Sequence, residues 1–216
     1  MSEMKELEKR FYTFEPVTEK CDDGTAQISG RPIVYNSPTD IGGYFREIIM
    51  PGALDGADMR DVPLLVNHND RMIPVARSRR NNGNSTMQIS TDEQGMTFQA
   101  SLDIERNATA AELYSAIDRR DIQGMSFAFR VEDERWDGLD TDYPTRYVNR
   151  FSAIREISAC TFPAYDSTEI NARSKDALES ARAALENERR QTAKKEEDSS
   201  DDIALLKAKA DFISKF

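Results

Sequence analysis

A single histidine, His68, stands among the 216 residues, so any chemistry that needs an imidazole must pass through one position. It closes an apolar run, LLVNHND at 64 to 70, between Asn67 and Asn69. A histidine at the mouth of such a run can be held by packing and still reach solvent, and its ordinary pKa near ~6.5 suits proton transfer at neutral pH. Taken alone, the segment fits an ordinary surface or core histidine better than a catalyst. A second candidate lies in GMSFAF, 124 to 129. Strand periodicity there puts Ser126, Ala128 and Arg130 on one face and Met125, Phe127, Phe129 and Val131 on the other. The Ser126 hydroxyl needs a hydrogen-bond partner: a backbone group would make it structural, an imidazole would make it a nucleophile. The pattern is not the G-x-S-x-G elbow of hydrolases, which implies a strand-borne serine.

The third candidate is Glu156, inside the apolar stretch of REISACTFPAYDST, 155 to 168. An ionised carboxylate is expensive to bury unpaired. Arg155 or another arginine would make it half of a structural ion pair, and the Nδ1 proton of an imidazole would make it the orienting member of a triad. Cys160, on the same strand, is expected to be a small core residue. Cys21, beside Asp22 and Asp23, is a poor nucleophile because like charge disfavours its thiolate. With one disulfide at most available to two cysteines, both are expected as free thiols in a reducing compartment.

Two other clusters carry little. DGLDTD, 137 to 142, alternates carboxylates, but its glycine is misplaced for a calcium loop and no glutamate follows at the right distance, so it reads as a solvated loop. RSRRNNGN, 77 to 84, is basic but short and lacks aromatics. The chain as a whole carries 29 basic against 39 acidic residues, a net charge of -10, which argues against a nucleic-acid surface. With one histidine, a zinc site of several His and Cys at finger spacing cannot be assembled, and no cofactor is expected. No apolar window approaches the ~18 residues of a spanning helix, and the charged start MSEMKELEKR is unlike a signal peptide, so a cytoplasmic protein without membrane contact is expected.

The elements that must position these residues are mostly short strands. Alternation and turn signals predict strands at Arg10 to Phe14, Ala26 to Val34, and Thr86 to Ser90, the last joined by the turn DEQG to Met96 to Leu102 as a hairpin. Asn107 or Thr109 can cap a helix whose buried face is Leu113, Ala116 and Ile117, with Arg119 and Arg120 at its negative end and Gly124 as the break. Apolar runs follow at Met125 to Val131 and Ile154 to Phe162, separated by an acidic, aromatic loop, EDERWDGLDTDYPTRY. The pattern predicts an α+β domain whose sheet is mostly antiparallel and closes into a barrel.

The composition changes near Ser174. Beyond it the chain is densely charged and holds no glycine or proline, and its middle, QTAKKEEDSSDD, is too polar to order itself. Two amphipathic stretches flank that middle: Leu178, Ala181 and Leu185 share one helical face, and Ile203, Leu206, Ala210 and Ile213 another. Such a tail either packs on its own domain or docks on a partner.

Five segments, in this order, resemble the prohead proteases of tailed bacteriophages, capsid-maturation serine proteases distantly allied with herpesvirus assemblin. They are GRPIVYN (30 to 36), EIIMPGAL (47 to 54), LVNHN (65 to 69), RRDIQGMSFAF (119 to 129) and EISACTFPAY (156 to 165). The resemblance implies a small, mostly antiparallel β-barrel surrounded by helices over residues 11 to 172, with an N-terminal arm at 1 to 10 and a polar, partly helical tail at 173 to 216. It implies that Ser126 is the nucleophile, His68 the general base and later acid, and Glu156 the group that orients His68. The implied substrates are phage capsid and scaffolding proteins, in the prohead interior near the portal, within the host cytoplasm; a homo-oligomer is compatible with this. The reading from another class is a non-enzymatic capsid-assembly or scaffolding module in which the three residues are incidental, and a third is a small-molecule esterase using the same groups.

A protease confined with its substrates also meets its own exposed linker. Intact mass of the self-incubated chain is therefore expected to show cuts between Arg189 and Asp202. The same truncation in Ser126→Ala incubated alone would assign the cutting to something else.

Overall fold

Ser126 and Glu156 lie on the two strands of one long hairpin, and the rest of the main unit is built against it. In the computed structural model the described residues are 7–13, 17–161 and 179–195. They fall into two units, Met1–Leu178 and Glu179–Phe216. In the first, the strands are β1 (Glu8–Thr13), β2 (Val17–Lys20), β3 (Thr25–Val34), β4 (Thr39–Ile41), β5 (Phe45–Ile49), β6 (Asp61–Val66), β7 (Ala76–Arg79), β8 (Met87–Asp92) and β9 (Gly95–Asp103). The helix α1 (Ala108–Asp118) follows, then β10 (Gly124–Asp137) and β11 (Thr145–Cys160).

Period-two alternation explains the smaller sheet, β2-β3-β9-β8. Along β9, Met96, Phe98, Ala100 and Leu102 are buried, while Gln99 is exposed. The β8–β9 turn ends in Gly95 at φ +135°, where a Cβ would meet the Ile33 carbonyl oxygen at 2.1 Å, so only glycine fits. Asn107 caps α1 by accepting from the Ala110 amide, and Ala110, Leu113 and Ile117 are its buried residues. The helix does not run on to Gly124 as its break: Arg120 takes the left-handed turn at φ +64°, and Gly124 already begins β10. Residues from both sheets and α1 form one core, in which Phe127, Phe129 and Phe151 meet edge-on or tilted.

The larger sheet runs β1-β10-β11-β5-β4, with β6 also on β11 and β7 on β6. Three expectations are corrected here. The segment expected as an acidic, aromatic loop is mostly strand: β10 continues to Asp137 and β11 starts at Thr145. Alternate residues there are exposed and charged, which disguises a strand as a loop, while Trp136 packs edge-on against Phe45 at 4.9 Å. No closed barrel forms among the described strands. Both β5 and β6 lie parallel along β11, so the sheet forks at that strand and the pairings make two open sheets, of seven and four strands. Helices do not surround it either, since α1 is the one helix among the described residues of this unit.

In the second unit residues 179–195 are helical, with Ala181 and Leu185 buried. Helix thus extends into the polar middle expected to stay unordered. Good helix formers and the ion pairs of Glu186 with Arg182 and Arg190 support it. The second amphipathic stretch and the boundary at 172 lie outside the described residues. No helix among the described residues is long and apolar enough to cross a membrane.

The sheet also encloses a buried charge cluster. Arg10 and Arg146 are fully buried. The Arg10 guanidinium donates to Glu47 at 2.7 and 2.8 Å and to Glu8 at 2.7 Å. Arg146 donates to Glu8 at 2.6 and 2.7 Å, to Glu47 at 3.0 Å and to Glu134 at 2.6 Å. Burial alone would raise the Glu8 carboxyl, but Arg146 and Arg10 together lower it from 4.5 to about 2. A depressed folded pKa means stability that is complete above the unfolded value and is lost as pH falls toward the folded one. Thermal stability is therefore expected to fall as pH drops from 4.5 to about 2. Glu8→Gln should be less stable at neutral pH, by on the order of 3 kcal/mol, with a flatter acid limb. Equal acid slopes in the two chains would remove Glu8 from this role.

Candidate active site

Three adjacent strands carry the candidate residues. β10 pairs antiparallel with β11, with Ser126 opposite Ser158 and Ala128 opposite Glu156. β6 runs parallel on the other edge of β11, with Leu65 beside Ser158 and Val66 beside Ala159. Opposed residues share a face and alternate residues return to it, so Ser126, Ala128, Glu156 and Ser158 lie together on one face. Phe127 and Ile157 point the other way, into the core.

His68 reaches this face from the turn after β6. The Asn67 amide donates to the Ala159 carbonyl at 2.8 Å, and Asn67 and His68 both adopt left-handed backbone, at φ +53° and +55°. The turn brings His68 Nδ1 into a hydrogen bond with Glu156 Oε1. An ionised carboxylate can only accept, so Nδ1 is the donor, and in the neutral ring that leaves the lone pair on Nε2. Both side chains are largely buried, 15% and 11% exposed, and direct water contact is correspondingly limited. Arg155, the alternative partner for Glu156, goes to Asp58 at 3.5 Å.

Ser126 is 2% exposed, and its hydroxyl donates to the Arg10 carbonyl at 2.7 Å. The hydrogen bonds among the described residues do not join it to His68. The structure thus brings His68 and Glu156 together, sets Ser126 on the same face one strand away, and engages the serine with β1. Cys160 is buried, and burial, reinforced by the Glu156 charge, pushes its thiol up to about 12, as suits an inert core residue. Cys21 is also a free thiol. Among the described residues no three His, Cys, Asp or Glu side chains converge as metal ligands.

Sequence reasoning missed three neighbours of these groups. Ser158, opposite Ser126, is fully buried, and its hydroxyl has no partner among the described residues. Arg10 supplies the carbonyl that holds Ser126, which no local pattern announces. Asn67 joins the ends of β6 and β11, and its signal was present: asparagine is among the few residues that tolerate left-handed backbone. A pocket of about 180 Å³ is lined by Leu65, Val66, Asn67, Asn69, Met72, Ile73, Val75 and Thr109, and His68 is not part of its lining.

The chain matches the family described as Caudovirus prohead serine protease over residues 14–182. It is 30% identical over 184 residues to the prohead protease of Enterobacteria phage HK97, which covers 83% of this chain and 75% of the relative. No solved structure shows a significant match.

The His68 turn depends on Asn67 in two ways. Its side chain donates to Thr161 Oγ1 at 3.0 Å and accepts from the Thr161 amide at 3.0 Å, and its backbone holds the left-handed conformation. Asn67→Ala removes both contributions and is expected to cost about 1–3 kcal/mol. Asn67→Gly keeps the backbone freedom and should cost less. Thermal unfolding of the two variants checks the order, and a larger loss for glycine would contradict it.

Proposed function

This chain belongs to the caudovirus prohead serine proteases and is a peptidase of that family, and we propose that Ser126 is its nucleophile, His68 its general base and Glu156 the residue that orients His68. The observation that carries this reading is the hydrogen bond from His68 Nδ1 to Glu156, on the sheet face that Ser126 shares. With Nδ1 tied to the carboxylate, Nε2 is the ring nitrogen left to accept a proton. Ser126 Oγ attacks the scissile carbonyl carbon as Nε2 takes the hydroxyl proton, and the Glu156 charge stabilises the imidazolium that forms. The proton then passes to the leaving amine. Water, activated by the same imidazole, hydrolyses the acyl-enzyme and restores Ser126.

Substrates on this reading are capsid and scaffolding proteins of the phage that encodes the chain, cleaved in the immature shell. The self-cleavage expected between Arg189 and Asp202 narrows on this reading to the polar segment after Lys195, since the helix at 179–195 protects the residues before it. The HK97 relative is itself a prohead protease, which supports the setting.

Ser126→Ala deletes one oxygen and little volume, so cleavage of the cognate capsid protein should stop while the domain stays folded. Glu156→Gln keeps the shape but weakens the hold on the tautomer and on the imidazolium. Turnover should fall by on the order of 10² to 10⁴ with the melting temperature nearly unchanged. Normal cleavage by Ser126→Ala, or normal turnover with a large stability loss in Glu156→Gln, would contradict the assignment.

A further inference from the structure

The one hydroxyl this mechanism requires free is engaged by the chain's own N-terminal strand. β1 pairs antiparallel with β10 from Glu8 opposite Phe129 to Thr13 opposite Gly124, and Phe11 lies opposite Ser126. β1 is the outermost strand on that side of the sheet. We propose that β1 is a resident blocking strand: residues 8–13 hold the edge of β10 that an extended peptide substrate must use, and Ser126 becomes available only when they leave it. The inference rests on Ser126 being the nucleophile.

Two observations support it. Ser126 is 2% exposed and donates at 2.7 Å to the main-chain carbonyl of Arg10. The serine's proton is thereby committed to a carbonyl of β1, on the edge of β10 opposite the one that β11 and His68 share. Without β1, the backbone N–H and C=O groups of 124–129 that pair with it become a free edge, which adds an extended peptide through main-chain hydrogen bonds.

Departure of the strand is electrostatically feasible. β1 carries Glu8 and Arg10 out together, one acid and one base. Arg146, which stays, keeps Glu47 at 3.0 Å and Glu134 at 2.6 Å. No buried charge is left without a partner, the condition under which such clusters become prohibitively costly to open.

Locking the strand tests the proposal. Lys9 lies directly opposite Ala128, so Lys9→Cys combined with Ala128→Cys can be bridged by a disulfide across the two strands. The readout is the rate at which a fluorophosphonate modifies Ser126, followed by intact mass, with the parent chain under the same redox conditions as control. The oxidised, locked chain should react at least about tenfold more slowly than the same chain reduced, and Arg10→Leu, which loosens β1, should react faster than the parent. Equal rates in the verified disulfide form and its reduced form would overturn the blocking strand while leaving Ser126 the nucleophile. No modification in the folded reduced chain or in Arg10→Leu would overturn the nucleophile assignment, and the blocking strand with it.

Discussion

Glu156 sits on β11 among buried residues, and an ionised carboxylate there costs several kcal/mol unless a donor reaches it. The donor is the Nδ1 proton of the single histidine. Much of the local architecture follows from delivering that proton. β6 must run alongside β11, stop at Val66 and turn at once, and two successive non-glycine residues take left-handed backbone to make the turn. Strain of this kind persists where surrounding structure holds it, and here the Asn67–Thr161 hydrogen bonds and the Asn67 amide on Ala159 do so.

The same pairing fixes which ring nitrogen is left for chemistry. A carboxylate on Nδ1 leaves Nε2 as acceptor, and a general base needs an acceptor aimed at its proton source. Ser126 stands on the same face but donates to Arg10. The buried cluster around Arg10 and Arg146 therefore bears on the site as well as on stability, because it fastens the strand that engages the serine.

What the sequence made legible was local. The strand read at Ala26 to Val34 and the hairpin read around DEQG both form, because alternation and turn residues report them locally, and the Asn107 cap is legible from its neighbours. The chemistry of Glu156 was half legible: a buried carboxylate demands a cation or an imidazole, and the sequence left both open until Arg155 was found on Asp58. What it hid was set by pairing at a distance. Arg10, Glu47 and Arg146 come from three parts of the chain, and nothing in their spacing reports that they meet. Charged residues at alternate positions of β10 disguised a strand as a loop, and a forked sheet is invisible to periodicity because β5 and β6 are too short to show which strand they join.

One histidine makes the central interaction directly observable, since its ring resonances have no counterpart elsewhere in the chain. Proton–nitrogen NMR of the ¹⁵N-labelled imidazole near neutral pH reports the tautomer and its hydrogen bond. The expected spectrum has a protonated Nδ1 with a strongly low-field proton that disappears in Glu156→Gln, and an unprotonated Nε2. A neutral ring protonated on Nε2, or a ring proton unaffected by the loss of the Glu156 charge, would contradict the account.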